Sequence, residues 1–214
     1  MREVFKNGII NFMYNYNYNV MKNFVLILAM LMATISATNL KAQESNNVEE
    51  SNAKCLFKFT NSGLISAQNS SNSYVVYEIP GMSAMEIKAA TMTTISSMYN
   101  SPKDNINNLS ENMIQLEGYM SRVYYSVMNN GDRYPVDIAF NWVIQFKDGK
   151  IRFNTPTFKQ IYITNVPIMG SLKLDMSKPI QTLIDKEPDR LQVATKFNNL
   201  IKEIGKKAKS ANDW

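Results

Sequence analysis

The sequence contains no histidine, and only one of its 214 residues is cysteine. Without imidazole, the chain cannot form Ser-His or Cys-His nucleophile pairs or histidine-ligated metal sites. One thiol cannot form an internal disulfide, so the core must stabilise the fold. The GxxxxGK[ST] and GxGxxG motifs are also missing. We therefore predict no catalytic motif, no metal and no cofactor; carboxylate-pair, Ser-Lys and tyrosine chemistry are the classes that survive.

The apolar run from Phe24 to Ile35 is too short to span a membrane. Its twelve residues would reach about 18 Å as a helix, against a hydrocarbon layer of about 30 Å. The run follows Met21-Lys22 and precedes a small and polar stretch that ends at Ala42, an order typical of a secretory signal peptide. Cys55 lies well downstream, so we expect no lipid anchor. We predict an exported protein, periplasmic or extracellular, whose residues 1–42 are an over-extended start plus a signal peptide cleaved near Ala42.

The charge of the chain does not indicate a nucleic-acid partner. The formal net charge is +5, but four of the 23 basic residues and one of the 18 acidic residues lie within the first 42, which leaves +2 on the rest. Nucleic-acid binders usually present a strongly basic face. We predict one domain at residues 54–214, with no nucleic-acid partner and no membrane span after cleavage. Residues 43–53 are polar and acidic and predict a flexible tether.

The first part of this domain has the pattern of two strands and a helix. Lys54 to Phe59 and Tyr74 to Ile79 predict strands, with a Ser/Asn-rich loop at residues 61–73 between them. Ser83 and Glu86 are spaced as a capping box, which predicts the start of a helix. Helical spacing assigns five residues to its buried face: Met85, Ala89, Met92, Ile95 and Tyr99.

From Met113 to about Ile163 the hydrophobic pattern has a period of two, which predicts antiparallel strands. Asp148-Gly149 lies between two alternating stretches and predicts a type I′ hairpin. That turn sets the register of the flanking strands. It pairs Phe146 with Ile151, Ile144 with Phe153, and Gln145 with Arg152.

Asn130-Gly131 predicts a second hairpin by the same reasoning. A two-residue loop would give three cross-strand pairs: Tyr125 with Val136, Val123 with Ile138, and Tyr119 with Trp142. The apolar phase of the first strand changes at Gly118, which predicts a β-bulge at that residue.

Pro188 predicts the start of a C-terminal helix that extends to about residue 209. One of its faces is apolar, and most of its lysines lie elsewhere. A basic amphipathic helix can bind a membrane surface, but we expect this one to cover the sheet. The predicted buried residues are Leu191, Ala194, Phe197, Ile201, Ile204 and Ala208.

Two stretches of the sequence resemble a known family. Tyr77 to Ser83 (YEIPGMS) and Phe140 to Phe153 (FNWVIQFKDGKIRF) resemble the bacterial domain of unknown function 4468, over about residues 74–163. The resemblance implies a fold like that of the TATA-binding protein and an exported protein of a Gram-negative bacterium; it implies no activity and no site residues. Together with the patterns above, it predicts an α+β domain of order β-α-β-β-β-β-α, in which two helices cover one face of an antiparallel sheet of about five strands.

The two hairpin registers divide the sheet into two faces. The predicted core face carries Val123, Tyr125, Ile138, Trp142, Ile144 and Phe153. The other face carries the candidate binding residues: Arg122, Tyr124, Asp137, Asn141, Gln145 and Arg152. Such a face can be merely solvated. Its tyrosine and arginine content favours contact with a partner, an unknown envelope protein or polymer.

We therefore interpret the chain as a non-catalytic binding module. The alternative is a histidine-free enzyme that acts on an extracellular polymer through a carboxylate pair such as Glu117 and Asp137.

Overall fold

The structure is a computed structural model that describes Val48 and residues 50–98, 105–128 and 131–210. The predicted signal peptide, the first part of the predicted tether, Tyr99 and Asn130 lie outside the described residues. Among the described residues, no helix is both long enough and apolar enough to cross a membrane.

The described part of the chain forms an α+β domain, as predicted. In chain order its elements are β1 (Phe57–Thr60), β2 (Gly63–Ser66), β3 (Tyr74–Glu78), α1 (Ala84–Met98), β4 (Ile106–Ser110), β5 (Met113–Val127), β6 (Arg133–Lys147), β7 (Lys150–Asn154), β8 (Thr157–Val166), β9 (Gly170–Lys173), α2 (Ile180–Leu183) and α3 (Glu187–Ser210). The main sheet has seven strands within the described residues, more than the five predicted.

Strand β6 is the centre of the main sheet. One edge of β6 pairs with β5, and the other edge pairs with β8 through residues 136–141 and with β7 through residues 144–147. Pro156, which has no backbone N–H, lies between β7 and β8. Strands β3, β4 and β9 extend the sheet beyond β7, β5 and β8, and every pairing is antiparallel.

Helices α1 and α3 pack on one face of this sheet, as the sequence predicted. The core between them is rich in aromatic side chains. The Phe197 ring lies edge-to-face with the rings of Phe140 and Trp142, at centroid distances of 5.0 and 5.6 Å. Trp142 is fully buried, and its Nε1–H donates to the carbonyl of Asn154. The predicted burial of Trp142 is therefore confirmed.

The start of α1 agrees with the prediction, whereas its buried face does not. Both halves of the predicted capping box are present: Ser83 N–H donates to the Glu86 carboxylate at 2.8 Å, and Glu86 N–H donates to Ser83 Oγ at 3.4 Å. Met85 is 71% exposed, and Ala89 is exposed as well. The buried face of the helix is rotated relative to the prediction: of the predicted residues that the structure describes, Ile95 alone is buried, and two of the buried positions are threonines. The buried residues are Ile87, Thr91, Thr94 and Ile95.

The predicted loop at residues 61–73 contains strand β2. β2 pairs with β1 in a hairpin that joins Phe57 to Ser66 and Thr60 to Gly63. Gly63 has a φ of 100°, which suits glycine at the turn. The strand was not predicted because it is only four residues long and lies in a stretch rich in serine and asparagine.

The register predicted from Asp148-Gly149 is confirmed, and all three predicted pairs are present. The turn itself is not type I′, because Gly149 has a φ of 73° whereas Asp148 does not have a positive φ. The carboxylate of Asp148 has a further partner, since its Oδ1 accepts the Ala84 N–H at 2.9 Å. The side chain thereby links the hairpin to the first turn of α1.

The register predicted for the second hairpin is wrong by one residue near the turn. Tyr124, rather than Tyr125, lies opposite Val136, and Leu116 lies opposite Trp142. The connection is longer than two residues, since Met128 N–H donates to the Asp132 carbonyl at 2.9 Å. A longer loop shifts the pairing that follows it.

The β-bulge of β5 lies at residues 121–123, not at Gly118. Pairing is regular through Met120 and resumes at Tyr124, so three residues face one on β6. Gly118 pairs normally with Phe140. Packing explains why this position is glycine, because a Cβ there would lie 2.1 Å from Cζ of Phe140.

Helix α3 confirms the predicted C-terminal helix and most of its buried face. Leu191 is the exception, because it is 66% exposed. Val193 and Gly205 are buried as well. Residues 50–53, part of the predicted tether, form a helical turn, and Asn52 is buried against β3. This part of the predicted tether therefore packs on the domain.

Candidate functional site

The face of the main sheet opposite the helices carries polar and aromatic side chains. No helix in the described ranges packs on this face. Alternation along the paired strands places its residues side by side. We call this surface the open face; its principal residues are Tyr74, Gln115, Glu117, Tyr119, Asp137, Asn141, Gln145, Arg152 and Tyr162.

One end of the open face is organised around Arg152. Its guanidinium carbon lies 3.8 Å from the ring centroid of Tyr74, in a cation–π contact. Its Nε–H donates to Oδ1 of Asn154 at 3.0 Å. Gln145 lies directly opposite on β6. The guanidinium is held in one orientation before any partner arrives, which lowers the entropy lost on binding.

The other end of the open face contains a cleft of about 420 Å³. Tyr119 and Tyr162 contribute two tilted rings whose centroids are 6.2 Å apart. Lys159 Nζ donates to Glu117 Oε2 at 2.9 Å and forms an ion pair that crosses β6. Lys159 lies at a bulge of β8, because Ala139 pairs with Gln160 whereas Phe140 pairs with Phe158. The cleft thus combines two aromatic rings with a charged pair.

The carboxylate of Asp137 links the cleft to the bulge of β5 through two hydrogen bonds. Its Oδ2 accepts the Tyr119 hydroxyl at 2.5 Å, and its Oδ1 accepts the Arg122 N–H at 2.8 Å. Arg122 has a φ of 50°, in the left-handed region that favours glycine, and the Asp137 carboxylate satisfies its amide. Burial and the Asp137 hydrogen bond raise the pKa of Tyr119 to about 12. Asp137 is only 7% exposed and positions its neighbours.

Of the predicted binding residues, four share the open face and Arg122 is exposed in the bulge; the four are Asp137, Asn141, Gln145 and Arg152. Asn141 Oδ1 is buried without a hydrogen-bond partner in the described part of the chain. Tyr124 was predicted wrongly: it is 4% exposed and belongs to the core.

The bulge adds two residues and therefore keeps the alternation of β5 in phase, since Met120 pairs with Ile138 before it and Tyr124 pairs with Val136 after it. Tyr124 therefore points to the core, and Tyr125, predicted as core, is 42% exposed. Burial raises the pKa of the Tyr124 phenol above its usual range.

Sequence reasoning missed Tyr74, Lys159 and Tyr162 as members of the site. Tyr162 had a usable signal, because it lies between two buried isoleucines, Ile161 and Ile163, in an alternating strand. Lys159 had none, since the β8 bulge that places it is not visible in the hydrophobic pattern.

The two carboxylates of the alternative enzyme hypothesis do not form an isolated pair. Glu117 is engaged by Lys159, and Asp137 accepts two hydrogen bonds. Glu117 pairs with Asn141, four residues from Asp137, so the two backbones are about 13 Å apart along the strand. These contacts give each carboxylate a structural partner.

No family model matches the sequence, and no curated protein matches it. Two solved structures are similar to the chain. A crystal structure of a TBP-like protein from Parabacteroides distasonis is 17% identical, covers 64% of this chain and 94% of that chain, and has a TM-score of 0.43. A crystal structure of a DUF4468 family protein from Bacteroides ovatus is 12% identical, covers 63% of this chain and 84% of that chain, and has a TM-score of 0.36.

The chain is similar to both in fold. The second structure bears the name of the family that the sequence resembles. With identities of 17% and 12%, the similarity concerns architecture and not activity.

Proposed function

We propose that this chain is an exported, non-catalytic binding module of the cell envelope or extracellular space. It contacts an envelope protein or polymer through the open face. The observation that carries the proposal is the orientation of Arg152, held by Tyr74 and Asn154 on a face that no described helix covers. Export is supported by the order of charge, apolar run and small residues in residues 21–42.

The residue types of the open face fit this role. Arginine and tyrosine are enriched among residues that dominate binding energy, because they combine a large contact area with directional hydrogen bonds. The face offers Arg152 and Tyr74 at one end and Tyr119 and Tyr162 at the other. Each pair is already in contact, so little side-chain freedom is lost when a partner binds.

The size of the face bears on the kind of partner. Asp137 and Gln145 are eight residues apart on β6, a length of about 26 Å. Four strands side by side span about 19 Å, which gives a face of about 500 Å². A standard protein interface buries about 800 Å² per partner. The open face therefore fits a segment of a polymer or a low-affinity protein contact.

A pull-down from envelope extract tests the proposal. The double variant Arg122→Glu/Arg152→Glu reverses the charge of one arginine on the open face and one in the bulge of β5, and it is expected to lose every specifically retained component. The matched control, Lys196→Glu/Lys207→Glu on α3, makes the same change in net charge on exposed helix positions. The control is expected to capture as the wild type does. Unimpaired capture by the Arg122/Arg152 variant would refute the proposal.

A further inference from the structure

A second surface, on the helix side of the domain, forms a cleft of about 500 Å³. It lies between the turn before β1, the edge strand β3 and the C-terminal half of α3. We call it the cationic cleft, and its lining residues are Asn52, Ala53, Tyr77, Lys202, Lys206, Lys209 and Ser210. We propose that the cationic cleft binds a phosphate group, a role separate from that of the open face.

The charge of the cationic cleft has one sign. Lys202, Lys206 and Lys209 recur at four and three residues on one side of α3, so they rise about 6 Å and 4.5 Å along the helix axis. None of the described residues that line the cleft is acidic. Lys202 and Lys206 make no ion pair within the described ranges, whereas Lys207, on the neighbouring side, pairs with Glu203 at 3.1 Å. Clustered like charges raise the local concentration of anions.

The walls of the cationic cleft are set by packing. A Cβ at position 205 would lie 2.5 Å from the ring of Tyr77, so Gly205 lets this ring lie directly against α3. On the opposite wall, Asn52 Nδ2 donates to the Glu78 carbonyl at 2.8 Å, and Glu78 N–H donates to Asn52 Oδ1 at 2.7 Å. The cleft therefore has a defined shape, and only the lysine side chains need to adjust to a ligand.

The spacing of the lysines favours phosphate over other anions. A phosphate monoester carries a charge of about −1.5 to −2 at neutral pH and three acceptor oxygens, so it can contact two or three ammonium groups at once. A carboxylate carries one charge and gains less from a third lysine. The phosphate can belong to a free phosphorylated compound or to a phospholipid headgroup, since both present the same chemistry to the lysines.

Binding of two probes to the purified protein tests the proposal. Pyrophosphate is titrated by calorimetry, and phosphatidylcholine vesicles with or without phosphatidylglycerol are sedimented with the protein. Lys202→Gln/Lys206→Gln is expected to weaken binding by about tenfold or more, because two charge-assisted contacts are lost. Lys196→Gln/Lys207→Gln removes the same net charge from α3 outside the cleft and is expected to leave affinity within about twofold.

Each outcome decides the proposal. Pyrophosphate binding that depends on Lys202 and Lys206 supports a free phosphorylated ligand. Vesicle binding that requires phosphatidylglycerol and the same two lysines, without pyrophosphate binding, supports a headgroup. If the wild type binds neither probe, or if both double variants weaken binding equally, the cationic cleft is not a phosphate site. Because these lysines are exposed, both double variants are expected to melt at the temperature of the wild type. An unchanged melting temperature shows that a loss of binding is not caused by unfolding.

Discussion

The side-chain amide of Asn198 on α3 pairs with both backbone polar groups of Phe57 on β1. Phe57 N–H donates to Asn198 Oδ1 at 2.8 Å, and Asn198 Nδ2 donates to the Phe57 carbonyl at 2.9 Å. Asn52 pairs with Glu78 on β3 in the same way. A carboxamide carries a donor and an acceptor side by side, so it can substitute for a neighbouring strand. These asparagines satisfy strand edges that would otherwise have unpaired backbone groups.

Asn198→Ala is expected to lower the free energy of unfolding by about 1 to 3 kcal/mol, because Phe57 keeps its buried backbone groups without partners. Urea denaturation measures the change. Asn199→Ala, at the exposed neighbouring position, is the control and is expected to stay within about 0.5 kcal/mol of the wild type. Equal effects of the two substitutions would show that the amide pairing does not stabilise the domain.

Gly118→Ala is expected to destabilise the domain, although alanine ordinarily improves a strand position. The added Cβ would lie 2.1 Å from the fully buried Phe140 ring, and overpacking of this kind costs about 1 to 3 kcal/mol. Thermal melting of Gly118→Ala, Phe140→Leu and the double variant completes a mutant cycle. The double variant should be more stable than the sum of the two single effects. Strict additivity would contradict the steric explanation.

Trp142→Ala is expected to cost about 3 to 5 kcal/mol of unfolding free energy, a large fraction of the stability of a typical domain. Trp142 is fully buried, and its ring centroid lies 5.2 Å from that of Phe153. Tyr125→Ala removes an aromatic ring that is 42% exposed and serves as the comparison. An unchanged melting temperature for Trp142→Ala would mean that the two faces of the sheet are assigned the wrong way round.

The thiol of Cys55 is expected to be unreactive in the folded protein. Burial raises its pKa to about 12 from an ordinary value of 9.0, and the residue is 2% exposed. The folded state holds this proton more tightly than the unfolded chain does. Its contribution to stability is therefore complete below about pH 9 and is lost as pH rises towards 12.

Urea denaturation as a function of pH, together with labelling by a thiol reagent, tests this assignment. Cys55→Ala should flatten part of the decline in stability at high pH, and labelling of the wild type should require unfolding. Fast labelling under native conditions would contradict the burial of Cys55.

Local signals in the sequence predicted those parts of the fold that local contacts determine. Asp148-Gly149 fixed the β6–β7 register because the turn and the strands it joins are adjacent in the chain. Ser83 and Glu86 marked the start of α1 because a capping box spans only one turn. Burial of Trp142 followed from that register.

Long-range contacts determine the features that the sequence did not reveal. The bulge at residues 121–123 depends on the carboxylate of Asp137 on the neighbouring strand, so no local pattern marks it. The exchange of Tyr124 and Tyr125 between the two faces follows from the longer loop after β5, which shifts the register by one residue. The phase of α1 is also non-local, since the helix packs against α3 and the main sheet. Four of the nine principal residues of the open face were therefore visible as binding candidates from alternation alone: Asp137, Asn141, Gln145 and Arg152.

The measurement that tests the binding role of the open face most directly is hydroxyl-radical footprinting of the protein with and without captured envelope material. Binding through the open face predicts that the oxidation rates of Tyr119 and Tyr162 fall in the complex. It also predicts unchanged rates for Met85 and Leu191, which are 71% and 66% exposed on the helices that cover the other side. Protection of Met85 and Leu191, with Tyr119 and Tyr162 still oxidised at the free rate, would contradict the account.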